Sequence, residues 1–268
     1  MLSAQELAGR MRSRARSLVQ QLGYDVHKIR AEPTPPAPPT PPEPSPLNLP
    51  TADQAIATLI ENTNPRAVID VGANIGQFAT WVRDAGFNGE IISFEPQIEE
   101  HKVLAGIAEP DADWVVAPRC ALGASEGVAQ LHLAGNSQSS SLLDMLELHS
   151  ANAPTSVYVD SVETPVRRLD DVLAEVGFDP ADALLKIDTQ GFETEVLRGA
   201  SATLPLVVAA HVELSLAPLY ADQALTSEIF ALLAAADLEL SMVNDGFRTP
   251  DGQLLQIDGG FMRMGSGK

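Results

Sequence analysis

Short β-branched runs alternating with amphipathic stretches predict a doubly wound α/β sheet, and two observations carry that expectation. Ala67 to Val71 and Glu90 to Phe94 are compact apolar runs, the pattern of parallel strands covered on both faces. Between them Ile75, Phe78, Ala79 and Val82 recur at i, i+3, i+4 and i+7, which gives a helix one apolar stripe. The helical period returns at Leu169, Val172, Leu173 and Val176, and again at Leu225, Ile229, Leu232, Leu233 and Ala236. Further strands are expected at Trp114 to Ala117, Leu184 to Ile187, Leu206 to Glu213 and Leu238 to Val243. Strand and helix in alternation make a doubly wound sheet the economical packing.

Composition narrows the function classes. The chain has 268 residues, with 17 Lys plus Arg against 36 Asp plus Glu, a formal net charge of −19. Nucleic acid is not an expected partner on that balance, because phosphate contacts need clustered cations. A lone cysteine, Cys120, excludes an internal disulfide and a thiolate metal cluster. With no apolar run of roughly 18 residues and no signal-peptide core, the expectation is a soluble, cytoplasmic protein. Residues 1 to 32 form a basic arm, and residues 33 to 50 hold ten prolines in eighteen positions. Proline fixes φ and removes donors, so this stretch reads as an extended linker of about 3.1 Å per residue. The arm suits peripheral contact with an anionic membrane or a protein, beside the blander reading of a solvated tail. The globular domain spans 51 to 268.

Ligands of open α/β sheets collect where the first strand turns into its helix. That turn is Asp70-Val-Gly-Ala-Asn-Ile-Gly-Gln77. Gly72 and Gly76 allow a tight turn and close approach, but Asn74 and Gln77 stand where a dinucleotide fingerprint wants glycine. Glu95, at the end of the second strand, can accept both hydroxyls of a ribose. Together these features predict a nucleoside ligand without a pyrophosphate.

Three segments at this spacing, Val68 to Gln77, Ser93-Phe-Glu-Pro96, and Leu185-Lys-Ile-Asp-Thr-Gln-Gly-Phe-Glu193 followed by Val196-Leu-Arg-Gly199, resemble the FkbM-type S-adenosylmethionine-dependent methyltransferases. The likeness runs from residue 64 to about 263. It implies a Rossmann-like sheet of seven strands, mostly parallel with the last antiparallel, and methylation of a hydroxyl, often on a sugar. It also implies that Asp70, Gly72, Asn74 and Gly76 surround the methionine half of S-adenosylmethionine, that Glu95 takes the ribose, and that Ala121 and Leu122 flank the adenine. Cys120 beside them reads as a buried, inert thiol.

An alcohol must lose its proton to a general base or be acidified by a metal. Strand side chains repeat every two residues, so His211 and Glu213 share one face of a strand. The expectation is that His211 is the base, that Glu213 orients it or shares the task, and that Asp188 positions the substrate or the cofactor's ammonium. A rival has Asp188 and Glu213 bind Mg²⁺. Lys186 and the hydroxyl cluster Ser139, Ser140 and Ser141 are candidates for contact with a carbohydrate or glycolipid acceptor; Val128 to Leu133 and Val157 to Val162 are candidate antiparallel additions nearby. His27, His101, His132 and His149 read as surface or packing residues. Two other functions suit the same turn: a nicotinamide-dependent sugar oxidoreductase, and a non-catalytic nucleoside-binding module.

Overall fold

The computed structural model describes residues 51–263, so the arm, the proline-rich linker and the final five residues lie outside the described part. The first helix, α1 (Ala52–Thr63), opens on a capping box: Thr51 Oγ1 accepts from the Gln54 amide while Gln54 caps the Thr51 amide in return. It ends at Asn64 in the left-handed conformation, with Pro65 beyond it.

Strand β1 (Ala67–Val71) is buried along its whole length. Helix α2 (Gln77–Asp84), β2 (Glu90–Phe94), α3 (Ile98–Ala108) and β3 (Trp114–Val116) follow. Ile75, expected to open the α2 stripe, lies before the helix and is exposed, because the turn takes up positions 72 to 76. Next come β4 (Ala121–Leu122), β5 (Gly127–Ala134), α4 (Glu147–Asn152), β6 (Tyr158–Arg167), α5 (Leu169–Val176), β7 (Ala183–Ile187) and α6 (Glu193–Gly199). The chain then forms β8 (Ala209–Ser215), α7 (Thr226–Ala235), β9 (Leu238–Asn244) and β10 (Gln256–Arg263).

Seven strands make one sheet in the order β3-β2-β1-β7-β8-β10-β9. Only β10 runs antiparallel to its neighbours, inserted between β8 and β9. The expected doubly wound, mostly parallel seven-stranded sheet is therefore the fold. Strand β10 has no signal in the sequence reading, since Gly259 and Gly260 interrupt its alternation; room is lacking for a side chain at Gly260, where a Cβ would stand 2.5 Å from Met242. A second sheet, β4-β6-β5, arises from the excursion between β3 and α5, and Val128 pairs with Pro165 and Leu133 with Asp160 in its antiparallel hairpin.

The sheet is covered on both faces. Leu169, Val172 and Leu173 of α5, Val196 and Leu197 of α6, and Ile229 and Leu233 of α7 pack with Ile69, Ile92 and Leu185 on one side. Leu59 of α1, Ala79 and Val82 of α2, and Leu104 of α3 pack with Val68, Ile91 and Leu184 on the other. Strand β8 starts three residues later than expected and ends two later, because Leu206 belongs to the preceding turn and is exposed. His211 and Glu213 thus stand inside the strand, beside the end of β7, and His211 neighbours Lys186.

Gly72 is the residue on which the β1 turn depends. Its φ is +76°, and a Cβ there would lie 1.9 Å from the Asp188 carbonyl oxygen. Gly72→Ala is expected to lower stability by about 2–4 kcal/mol. Gly106→Ala, on an exposed part of α3 with open space around it, should instead raise it by about 0.5–1 kcal/mol. Denaturant titration of the two variants checks the pair, and equal effects would contradict it.

Candidate functional site

The carboxyl ends of β1, β2, β7 and β8 border a cavity of about 560 Å³, within the roughly 300–1,000 Å³ of small-molecule sites. Beneath it sits the buried Lys186, whose ammonium donates to the Gly72 carbonyl at 2.8 Å and the Val71 carbonyl at 3.4 Å and pairs with Asp70 at 3.2 Å. Burial works against this cation, but the Asp70 and Asp188 carboxylates outweigh it and hold its pKa above the ordinary lysine value. Lys186 is engaged with the β1 turn and is not a free donor for an acceptor, contrary to the expectation. Asp70 is fully buried and accepts from Ser93 as well, so it braces the turn from behind the cavity wall. Gly76 also faces away: a Cβ there would meet Leu104 and Trp114. Of the four residues expected around the methionine half, Gly72 and Asn74 line the cavity.

Glu95 follows β2 and is buried. One carboxylate oxygen accepts from the Asn74 amide at 2.7 Å and the other from the Gln97 amide at 2.8 Å. Those two bonds fix the carboxylate's position and leave each oxygen a lone pair. Burial lifts its pKa to about 7 against the two amides, which oppose the shift. The Asn74 side chain points elsewhere than expected, donating to Ser137 at 3.0 Å and accepting from Gln77 at 3.1 Å, and Gln97 donates to the Ser137 carbonyl at 2.9 Å. The β1 turn thereby ties the excursion over the crevice. Ala121 and Leu122 border the same cavity beside Cys120, a buried thiol that desolvation pushes up to about 11.

The hydroxyls of the serine cluster border the cavity but bond within the fold. Ser139 shares a hydrogen bond with Ser156 at 2.9 Å, Ser140 donates to Gln97 at 2.8 Å, and Ser141 donates to the Gln190 carbonyl at 2.7 Å. They shape the wall; acceptor contact through their donors would require breaking these bonds.

Along β8 and β10 the register aligns Glu213 with Asp258, and Asp258 with Asn244. His211 lies one pleat below, facing the same side, and its Nε2 is buried with no hydrogen-bond partner among the described residues. Desolvation lowers its pKa, and Asp258 opposes that most strongly. Glu213 does not orient His211 as expected. Both its oxygens accept from the Gln190 amide, at 3.2 and 3.1 Å, and the same amide donates to Asp188 at 2.8 Å. Burial, then repulsion from Asp188, Glu193 and Asp258, drives the Glu213 pKa well above the carboxylate range. The amide nitrogen stands between the two carboxylates that the Mg²⁺ alternative needs, and no group of three His, Cys, Asp or Glu suited to a metal occurs among the described residues. The Mg²⁺ expectation has no support here.

Four residues escaped the sequence reading. Asp258 and Asn244 lie on strands far along the chain whose register alone places them. Gln190, in the left-handed conformation at φ 55°, ties Asp188 to Glu213 and receives the Tyr220 hydroxyl at 2.8 Å. Glu193 is buried and accepts from the Thr189 and Gly191 amides at 3.0 Å, closing the loop after β7. Its position in the Gln-Gly-Phe-Glu run was a usable signal.

Burial raises Glu193 as well as Glu95 to about 7. Both groups bind protons more tightly folded than unfolded, so they make the fold less stable as pH rises from about 4.5, and the loss levels off above about 7. For Glu95 the difference is of order 3 kcal/mol. The ligand-free protein should therefore melt lower at pH 8 than at pH 6, and Glu95→Gln should flatten part of that descent. Thermal melts across the range check this; an unchanged slope in the variant would refute it.

The family model for the methyltransferase FkbM domain matches residues 70–240. Methyltransferase 1 of Beauveria bassiana is 28% identical over 142 residues, covering 49% of this chain and 57% of that relative. Methyltransferase sdnD of Sordaria araneosa is 30% identical over 154 residues, covering 49% and 59%. The chain thus spans less than two thirds of the length of these relatives. A solved FkbM methyltransferase from Methylobacillus flagellatus KT is similar at 14% identity and a TM-score of 0.45, over 73% of this chain and 44% of that one. With a family model matched over well more than half its length, from the Asp70 turn to the middle of β9, this chain belongs to the methyltransferase FkbM domain family.

Proposed function

We propose that the chain is an S-adenosylmethionine-dependent methyltransferase that transfers the methyl group to a hydroxyl of a carbohydrate or glycolipid acceptor. The observation that carries the reading is Glu95: a buried carboxylate held by two backbone amides, with no ion-pair partner among the described residues, and lining a cavity. Such a group is stable as an anion only when further donors reach it, and the paired hydroxyls of a ribose supply two. Family membership supports the same ligand. When bound, the cofactor supplies a methyl group on a sulfonium, a good leaving group, so that the protein chiefly aligns and deprotonates the attacking oxygen.

The residues divide accordingly. Glu95 holds the ribose, Gly72 and Asn74 let the ligand approach the turn, Asp188 at the end of β7 faces a ligand ammonium, and Ala121 and Leu122 give an apolar seat to a flat base. At the far end His211 is the general base. Desolvation keeps it neutral, and its partnerless Nε2 is free to take a proton from an alcohol. Asp258, the carboxylate that acts most strongly on His211, stabilises the imidazolium that then forms. Glu213, clamped by Gln190, positions the loop after β7.

His211→Ala should reduce turnover about 100-fold or more, as loss of a general base does, with S-adenosylhomocysteine affinity by calorimetry unchanged. Asp258→Asn should lose about 10-fold or more, and Glu213→Gln less than that. A Glu213→Gln loss matching that of His211→Ala would move the base to Glu213. Cofactor affinity should weaken as pH falls below about 7, where Glu95 gains its proton. Binding of NAD without S-adenosylhomocysteine would overturn the reading in favour of an oxidoreductase, and absence of labelled methyl transfer to extracted glycans and glycolipids would remove the acceptor class.

A further inference from the structure

At the cavity end remote from Glu95, one more polar atom lacks a partner. His149, on the short helix α4, is only 4% exposed, lines the cavity, and has a buried Nδ1 with no hydrogen-bond partner among the described residues. Its ring stands edge-on to Tyr220 at 5.1 Å and tilted against Phe247 at 5.5 Å. The position is fixed by two backbone links between the excursion and the segment after β8: Leu146 donates to the Leu219 carbonyl at 2.9 Å, and Ala221 to the Asp144 carbonyl at 2.8 Å. Tyr220 connects this corner to the reaction end, since its hydroxyl holds Gln190, which holds Asp188 and Glu213.

A buried imidazole nitrogen without a partner is disfavoured by roughly 1–3 kcal/mol, so the fold tolerates it where a ligand completes it. Burial also lowers the His149 pKa and keeps the ring neutral. A hydroxyl satisfies Nδ1 in either tautomer, because it both donates and accepts. Phe247, which also lines the cavity, offers an apolar face beside it. Charge sets the remaining condition. Among the described residues that line the cavity, Lys186 is the sole Lys or Arg, and it is committed to Asp70 and Gly72, whereas Asp188, Glu213 and Asp258 are carboxyls. A phosphate or carboxylate brought into the cavity would find no available cation among these residues.

Building on the methyltransferase reading, we infer that the His149–Phe247 corner is the acceptor subsite: it takes an uncharged, hydroxyl-bearing ring, with a ring hydroxyl on His149 Nδ1 and an apolar ring face on Phe247. His149 is a specificity-determining residue of the reaction. The acceptor then reaches this protein free of phosphate, so a glycosyl transfer or a dephosphorylation must precede methylation; a nucleotide-linked or phosphorylated sugar is not the substrate.

The test titrates the S-adenosylhomocysteine complex with neutral methyl glycosides (glucoside, galactoside, mannoside, rhamnoside and fucoside), followed by saturation-transfer NMR, beside glucose 6-phosphate and UDP-glucose. Formation of that complex is itself the check on the cofactor reading, so failure of the subsite is distinguishable from failure of the function. At least one neutral glycoside should bind, and the two anionic probes should not. His149→Phe keeps the ring's packing and removes the nitrogens; it should weaken glycoside binding at least tenfold and leave S-adenosylhomocysteine affinity within twofold. His149→Asn returns a polar group near Nδ1 and should restore most of the loss. Absence of glycoside binding by the wild-type complex, preference for the phosphorylated probes, or unchanged binding in a folded His149→Phe variant would each overturn the inference.

Discussion

A single ammonium at the base of the sheet organises what surrounds the cavity. Lys186 is nearly inaccessible to water, and a cation in that setting is tolerable only if its surroundings supply the opposite charge and acceptors that water would have given. Asp70 on the neighbouring strand supplies the charge, and the Val71 and Gly72 carbonyls supply the acceptors. The consequence is geometric. To satisfy the ammonium, the chain leaving β1 must turn at once over the end of β7, and the turn can do so only with no side chain at position 72. The Asn74 amide is thereby presented to Glu95, and the Asn74 side chain to Ser137. One desolvated pair therefore sets the entrance of α2, the place of a buried carboxylate and the attachment of the excursion.

From that centre the cavity has two ends with different physics. The β2 end offers one carboxylate, backbone amides and small apolar residues, the last on β4 of the second sheet. The β8 and β10 end concentrates titratable groups whose states are set by desolvation and mutual repulsion. Desolvation lowers the His211 pKa and raises that of Glu213, because burial disfavours the charged form of each. Gln190 prevents the acids from repelling one another apart by placing one amide between two of them.

The sequence made the sheet legible wherever local pattern and tertiary burial agree. Strands β1, β2 and β7 are mostly apolar and, apart from Glu90 at the start of β2, buried, and α5 and α7 carry clear stripes. Strand β10 was invisible because its two glycines answer to close neighbours, Leu214 and Phe261 at one and Met242 at the other, and not to an alternating pattern. At the site, Gly72, Asn74, Glu95, Asp188 and His211, which contiguous motifs single out, all line the cavity, since a strand and its turn place them together. Asp258 and Asn244 are not legible in that way, because only the register of an antiparallel insertion sets them near His211. His149 reads from the sequence as a surface or packing residue, and the missing partner of its Nδ1 is something no spacing reveals. Polarity in the sequence does not reveal availability: the donors of Lys186 and of the serines are engaged inside the fold.

The insertion of β10 between β8 and β9 also bears on how the domain comes together. Both neighbours precede it in the chain, so until residues 256–263 arrive each presents an unpaired edge, and β9 has nothing else to pair with. Assembly of this half of the sheet is therefore a closing step of high sequence separation, of the kind that slows folding and leaves sticky edges open meanwhile. Because Asp258 rides on that same strand, acquisition of the imidazole's carboxylate neighbour and completion of the hydrogen-bonded sheet are a single event.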